Sequence, residues 1–339
     1  MVTADLLSRA RAGDGEAFRE LTGPHRRELQ VHCYRMLGSF ADAEDAVQET
    51  MLAAWQGIGG FTQERASLRT WLYKIATSRC LNARRAARRR PARERDVSRY
   101  EPLVPTPRDE AVWLQPFPDA LLEGAADRPL GPEARYEQTE AISLAFVTAL
   151  QLLPPRQVAV LILRDVLGFH ASEVAGMLEV TLESANSTLK RARASLQRRQ
   201  QPAAGHQPPP AAGSPAEDAI VAKFARAWES ADLDALVALL TDDVFMSMPP
   251  IPLEYQGRDA VARFCAILLG SGRAYSLVPA RANGQPAFGA YVRGPDGIRH
   301  GTGLFVLTLA GDRICALTRF ESSVLARFGL PRSLPPSAG

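Results

Sequence analysis

Three carboxylates and one amide recur at helical spacing in the run "DAEDAVQETMLAAW", as Asp42, Asp45, Gln48 and Glu49. Side chains three or four apart share a helix face, so these four form an acidic stripe able to meet a cationic surface. Ala43, Ala46, Val47, Met51 and Ala54 recur on the other side and make its apolar face. On its own, such a charge run usually just faces water. A second group is cationic. In "FTQERASLRTWLYKIATSRCLNARR", Arg65, Arg69, Lys74, Arg79 and Arg85 are interleaved with Trp71 and Asn82, while Leu68, Leu72, Ile75, Ala76 and Cys80 can form the buried side. Cations around a ring suit single-stranded or melting DNA, where phosphates need charge and an unstacked base needs a surface. Trp71, beside Leu68 and Leu72, also fits a core position.

The third group is the strongest signal for DNA. "SEVAGMLEV" offers Ser172 as an N-cap, Glu173 in the first turn, and Val174, Ala175 and Leu178 as an apolar face. After Glu179–Thr181 comes "LESANSTLKRARASLQRR", with Leu182, Ala185, Leu189, Ala192 and Leu196 repeating at three or four. That leaves Ser184, Ser187, Thr188, Lys190, Arg191 and Arg193 outward. A second helix that is basic and rich in small polar side chains is what a helix-turn-helix places in the major groove, its early residues on base edges and its cations on phosphates. A plain helical hairpin gives no reason for the cations to gather on that helix.

The elements that must position these groups fall into three segments. Residues 4–90 read as successive helices punctuated by Gly13, Gly38, Gly59 and Gly60. A linker follows with Pro at 91, 102, 105, 107, 116, 118, 129 and 132, a density that predicts mostly irregular chain. Helix resumes near Glu140 and runs to Gln200. The stretch "QPAAGHQPPPAAGSPA", residues 201–216, has five prolines and no Asp, Glu, Lys or Arg, and reads as a moderately stiff spacer. Beyond it, "EDAIVAKFARAWESAD" and "LDALVALLTDD" read as helices, "VFMSMPP" as a short extended piece, and "GRDAVARFCAILL" as another helix. Strand-like runs follow: "AYSLVPARAN", "AFGAYVRG", "GIRHGTGLFVLTLAG" and "RICALTRFE". Helices first and strands afterwards predict an α+β domain with a curved antiparallel sheet.

Composition bounds the function. The 339 residues suffice for two or three domains, and 46% hydrophobic with 23% charged residues is an ordinary globular balance. The net charge of +3 hides a segregation: Arg65 to Arg95 holds eleven basic residues and one acid, whereas Glu101 to Glu140 holds nine acids and three arginines. A basic block of this kind points to an anion-binding surface, with nucleic acid the leading candidate. Cys33, Cys80, Cys265 and Cys315 stand far apart without a CxxC, as core residues of a reducing compartment do. No signal-peptide core and no run near the ~18 apolar residues of a membrane span are seen, so the expectation is a cytoplasmic protein with no metal or cofactor.

The three motifs, in this order and closing with "LPPRQVAVLILRDVLGFHASEVAGMLEVTLESANSTLKRARASL", resemble the bacterial sigma-70 superfamily, and within it the extracytoplasmic-function (ECF) group that keeps only regions 2 and 4. The resemblance implies a region 2 helical bundle over 4–92, a linker over 93–137 and a region 4 helix-turn-helix over 138–200. It implies that Asp42, Asp45, Gln48 and Glu49 dock on the β′ clamp helices of RNA polymerase core, and that region 4 meets the β flap. It further implies that Arg65, Arg69, Trp71, Lys74, Arg79, Asn82 and Arg85 serve the −10 element of promoter DNA. Ser184, Ser187, Thr188, Lys190, Arg191 and Arg193 then serve the −35 element. One departure stands out: the family usually has Gly or Val before its S-x-L-x-R-A core, where this chain reads "ESANSTLKRAR".

Residues 217–330, with "FARAWESADLDALVALLTDDV…MPP…YQGRDAVARF", resemble the SnoaL-like members of the NTF2-like superfamily, a helical cone over a curved sheet with a pocket between. Some relatives are ketosteroid isomerases or polyketide cyclases. On their pattern Met248 stands where the proton-abstracting Asp would sit, and a thioether cannot act as a general base. Asp242 and Asp243 read as helix-end and turn residues, His300 as a side chain able to face the pocket, and Arg258 and Asp259 as the start of a helix. The whole predicts a non-enzymatic sigma factor with a third domain that acts in cis and offers a surface for a small-molecule ligand or an anti-sigma protein. A ligand-responsive regulator that never meets polymerase would have no use for the acidic stripe, and an isomerase-type enzyme would need a base at Met248.

Overall fold

Asp14, Ser39, Ser143, Ser214 and Asp232 each turn a side-chain oxygen back onto backbone N–H groups at the start of a helix, the partners being Glu16 and Ala17, Asp42, Phe146, Glu217 and Ala235. Each cap satisfies a donor that has no partner within the helix. The computed structural model describes residues 2–64, 66–87, 106–107, 114–122, 141–200, 207–249 and 251–336. The chain divides into two units, one of Met1–Pro91 with Ala120–Pro202, the other of Ala92–Asp119 with Ala203–Gly339.

Among the described residues the regular elements of the first unit are helices: α1 (Val2–Arg11), α2 (Gly15–Thr22), α3 (Arg26–Leu37), α4 (Phe40–Gly57), α5 (Leu68–Ala87), α6 (Leu144–Gln151), α7 (Pro155–Leu161), α8 (Ala171–Leu178) and α9 (Leu182–Gln200). A π-helical turn over Ile162–Val166 extends α7. α3 is its axis, buried from Leu29 to Leu37 apart from a half-buried Gln30, and α4 and α5 pack on it. Two buried arginines fasten the later helices to this axis. Arg35 donates to the carbonyl of Ala141 (2.9 Å), and Arg84 donates to those of Met36 (2.7 Å), Gln151 (3.2 Å) and Leu153 (3.1 Å). A buried guanidinium is tolerated where its donors are met this way.

The second unit carries α10 (Pro215–Glu229), α11 (Leu233–Ala238) and α12 (Arg258–Leu269) on an eight-stranded sheet. Its strands are β1 (Thr106–Pro107), β2 (Leu240–Met248), β3 (Ile251–Gln256), β4 (Tyr275–Ala282), β5 (Gln285–Arg293), β6 (Arg299–Ala310), β7 (Arg313–Glu321) and β8 (Ser333–Leu334). The order is β1-β3-β2-β7-β6-β5-β4 with β8 on β6, and every pair is antiparallel except β2 with β7. The α+β expectation holds, with a mixed rather than purely antiparallel sheet. Asn283 (φ 59°) and Gly284 (φ 72°) form the turn between β4 and β5, the left-handed pair that suits a tight hairpin.

Three expectations for this unit change. The helix expected through Asp243 stops at Ala238, because Leu239 and Leu240 pair with Ile314 of β7. Asp242 and Asp243 are therefore successive exposed residues of a strand, at a register shift that lets both point outward. The Pro-rich linker is not simply irregular: Thr106 and Pro107 pair with β3, and Phe117, 0% exposed, is held on the sheet. Asn283 accepts from the Phe117 N–H (2.8 Å) and donates to its carbonyl (2.9 Å), while Asp119 accepts from Gly284 and faces Arg281. Between the helices and the sheet, where a pocket is expected, lies an aromatic core: Phe224, Trp228, Phe288 and Phe305 meet at ring centroids 4.8–5.7 Å apart, with Met246, Met248 and Tyr255 in the same cluster.

Candidate nucleic-acid interface

On α4 the apolar positions Ala43, Ala46, Val47, Met51 and Ala54 are buried, so the helix period sends Asp42, Asp45, Gln48 and Glu49 into solvent. None of the four makes an ion pair with a described residue. At the C-terminal end of the stripe stands Leu52, 58% exposed. A large apolar side chain at the end of an acidic stripe contributes nothing to the core and is suited to a partner.

α5 buries Leu72, Tyr73, Ala76, Thr77 and Cys80, and half-buries Leu68 and Ile75. Trp71 is half-buried and stacks on Phe61 (4.8 Å, 28° between planes), so one face of its ring is already covered. Arg69 is a clamp inside the protein. It donates to Glu28 (3.0 Å), and its guanidinium lies 4.8 Å over the Tyr73 ring and 4.7 Å over that of Phe169. Burial works against the charge of Glu28, but hydrogen bonds from His25 and Arg69 outweigh it and hold the carboxyl below its usual value. Arg79 is half-buried, and Asn82 and Arg85 are exposed with their side chains in reach of one another. Arg65 lies outside the described residues. Beside the loop before α5 a cleft of about 500 Å³ opens between Leu6, Glu20, Leu21, His25, Gln63 and Ser67.

α8 and α9 form the expected pair of helices. The N-cap of α8 is His170, not Ser172, because the Glu173 carboxylate reaches back to the His170 N–H (2.9 Å) and so stands at the third helical position. Glu179 takes the left-handed conformation (φ 54°) that ends α8, and α9 begins at Leu182. Ala185, Leu189 and Ala192 are buried and Leu196 half-buried, but Leu182 is 49% exposed, against its expected place in the apolar face. Ser184, Ser187, Lys190 and Arg191 are exposed and Thr188 is half-buried. Arg193 is exposed yet committed: it donates twice to Asp165 of the π-helical turn (2.8 and 2.7 Å), and that carboxylate raises its pKa.

The model of sigma-70 region 2 matches residues 21–90, that of sigma-70 region 4 matches 143–196, and that of the SnoaL-like domain matches 221–317. The chain is 41% identical over 334 residues to the ECF RNA polymerase sigma factor SigG of Mycobacterium tuberculosis, covering 96% of this chain and 86% of that one. It belongs to the ECF sigma factors. SigJ of the same species is 28% identical over 305 residues, covering 86% of this chain and 88% of that one. The crystal structure of M. tuberculosis SigJ superposes with a TM-score of 0.58 at 23% identity, covering 89% of this chain and 95% of that chain, and so shares the fold.

Region 2 of this sigma factor runs from the end of α2 through α5, and region 4 comprises α6–α9. Regions 2 and 4 serve promoter recognition and transcription initiation, and the third domain is SnoaL-like. The two regions touch along α5, and two of the residues expected on DNA, Arg69 and Lys74, take part. Thr70 donates to Glu173 (3.1 Å), Lys74 pairs with Glu179 (3.1 Å), and Phe169 meets both Arg69 and the edge of Tyr73 (5.1 Å). Sequence reasoning missed Glu28, Phe169, Glu173 and Glu179 in this role. Only three-dimensional packing brings them to α5, since Thr70 and Glu173 stand 103 residues apart. In the SnoaL-like domain Met248 is 2% exposed within the core. His300 does not face the interior: it is exposed on β6, with Nδ1 3.1 Å from the Ser333 hydroxyl. Arg258 does open α12, and it pairs with Asp242 (2.8 Å).

Proposed function

We propose that α4 is the polymerase-docking surface of this sigma factor, with Asp42, Asp45, Gln48 and Glu49 against the β′ clamp helices and Leu52 as the apolar anchor. The observation that carries this is Leu52, exposed at the end of a stripe of four polar side chains that have no ion pair with any described residue. Charges at such a rim set register and steer encounter, while a desolvated apolar anchor supplies affinity. Trp71, Lys74, Arg79, Asn82 and Arg85, with Arg65, are the −10 surface, and Arg69 holds α5 in place from inside. Ser184, Ser187, Lys190 and Arg191 meet −35 DNA, and region 4 rests on the β flap. The protein works in the cytoplasm, with polymerase. Its SnoaL-like domain acts in cis without turnover, a reading supported by Met248 in the position of the base, the aromatic core inside the cone and the linker strand docked on the sheet.

The test is reconstitution with core polymerase. Asp45→Lys with Glu49→Lys abolishes co-elution while helical content is kept, since charge pairs broken at an interface cost about 2–5 kcal/mol. Co-elution at wild-type affinity overturns the docking assignment. Deleting 217–339 changes transcription from the cognate promoter several-fold; identical transcription by the truncated chain overturns regulation in cis.

A further inference from the structure

The outward face of α9 is not the one its basic residues suggest. At 100° per residue, Glu183, Asn186, Ser187 and Lys190 fall within one arc of the helix surface turned away from buried Ala185, Leu189 and Ala192, and Leu182 lies at the edge of that arc next to Leu189. All five are exposed. They belong to the first half of the helix, the part that a helix-turn-helix presents to base edges. Hydroxyls nearby are spent on the helix itself: Thr181 caps the Ser184 N–H (3.1 Å), Ser187 donates to the Ser184 carbonyl (3.1 Å), and Thr188 accepts from Arg191 (3.2 Å).

Two uncharged side chains here make no hydrogen bond with a described residue. Asn186 sits mid-helix, where asparagine is a poor helix former, and its amide bonds to no described residue. Leu182, 49% exposed, adds little to the core. Each has a distinct counterpart in the major groove. An asparagine amide donates to adenine N7 and accepts from the N6 amino group, a bidentate match no other base offers, and an aliphatic side chain packs on the thymine methyl.

We propose that Asn186 reads an adenine and Leu182 a thymine methyl in the −35 element, as the specificity-determining pair of region 4. Residues four apart on one helix face stand about 5–6 Å from each other. Base pairs rise about 3.4 Å, so the two bases lie one or two pairs apart. The inference rests on the placement of α9 in the groove proposed above.

The experiment uses holoenzyme reconstituted from the full chain and a promoter library randomised over the −35 element. Wild type selects adenine at one position by about tenfold or more, and Asn186→Ala loses that selection while keeping the others. Alanine favours the helix, so loss of fold does not confound this variant. Replacing each thymine by uracil removes only the methyl group. At one position, one or two pairs from that adenine, the exchange weakens wild type but not Leu182→Ala. An unchanged base profile in Asn186→Ala, or uracil costing both proteins equally everywhere, overturns the proposal. Salt dependence separates the two failures. If Lys190→Ala with Arg191→Ala lowers the salt slope while Asn186→Ala changes nothing, the helix is on DNA and only the base assignment is wrong. If neither changes anything, the groove placement falls as well.

Discussion

Lys190, Arg191 and Arg193 lie within one turn of α9, yet their environments differ. Arg193 is fixed by two hydrogen bonds to Asp165, whereas Lys190 has no ion pair with a described residue and Arg191, among the described residues, donates a hydrogen bond only to the Thr188 hydroxyl. Changing Lys190 and Arg191 to Ala is expected to lower the salt slope of promoter binding by about one unit for each phosphate no longer neutralised. Arg193→Ala leaves that slope unchanged and lowers the melting temperature, because it unties α9 from the π-helical turn. His32 supplies a pH dependence of the fold. It is fully buried with Nε2 2.9 Å from the Thr77 hydroxyl, and burial, with the charges of Arg35 and Arg69, lowers its pKa from 6.5 to about 3. Between those values the unfolded chain binds a proton that the folded chain refuses. Stability from this group is therefore present above pH 6.5 and lost as pH falls, at up to about 1.4 kcal/mol per unit. Urea unfolding at a series of pH values between about 4 and 7 shows the slope, and His32→Asn removes it.

At the scale of elements, periodicity revealed most of what packing uses. Ala43, Ala46, Val47, Met51 and Ala54 repeat at helical spacing and are buried, so the acidic stripe of α4 was legible as a face. Strands β4–β7 were legible as strand-like runs separated by Gly, Pro, Asn and Asp. What was not legible depends on partners remote in sequence. Leu182 looks like the first residue of an apolar repeat, but it stays half in solvent, and the buried face of α9 begins at Ala185. Arg193 looks like a phosphate ligand, but Asp165 lies 28 residues away and across a turn. Pro density in the linker argues against helix and says nothing about docking, which needs Phe117 and the polar turn at Asn283, 166 residues apart. Asn283 is 0% exposed, so its amide serves the linker and the left-handed turn together. Asn283→Gly keeps the backbone conformation and removes the side chain, leaving the Phe117 N–H without its acceptor at a cost of about 1–3 kcal/mol. Amide exchange at Phe117 then accelerates while exchange along β5 and β6 does not; equal protection in both proteins rules out this anchor.

For the whole molecule, the proposed placement of α5 on the −10 element and α9 on the −35 element cannot coexist with the association of regions 2 and 4. The −10 and −35 elements, by their positions, are centred about 25 base pairs apart, roughly 85 Å of duplex at 3.4 Å per pair. Thr70 and Glu173, one in each region, stand 3.1 Å apart. The regions must part before both elements are read, and the closed arrangement lowers apparent affinity by the fraction of chains that are open. What holds it closed is modest. Lys74 and Glu179 are largely exposed (44% and 78%), which limits that pair to about 0–1 kcal/mol. The stacking of Arg69 on Phe169 is worth about 0.5–2 kcal/mol. Phe169→Leu with Glu179→Gln removes both while sparing Glu173, which caps α8, and every residue proposed to touch DNA or polymerase. Weakening the closed form by about 1–2 kcal/mol raises apparent affinity for core polymerase and for promoter roughly five- to thirtyfold where that form dominates. Titration of labelled core polymerase measures the gain directly, and small-angle scattering of the free variant shows a larger radius of gyration than wild type. Identical affinity and identical dimensions in the two proteins mean that regions 2 and 4 part without cost, and the closed arrangement then has no share in control.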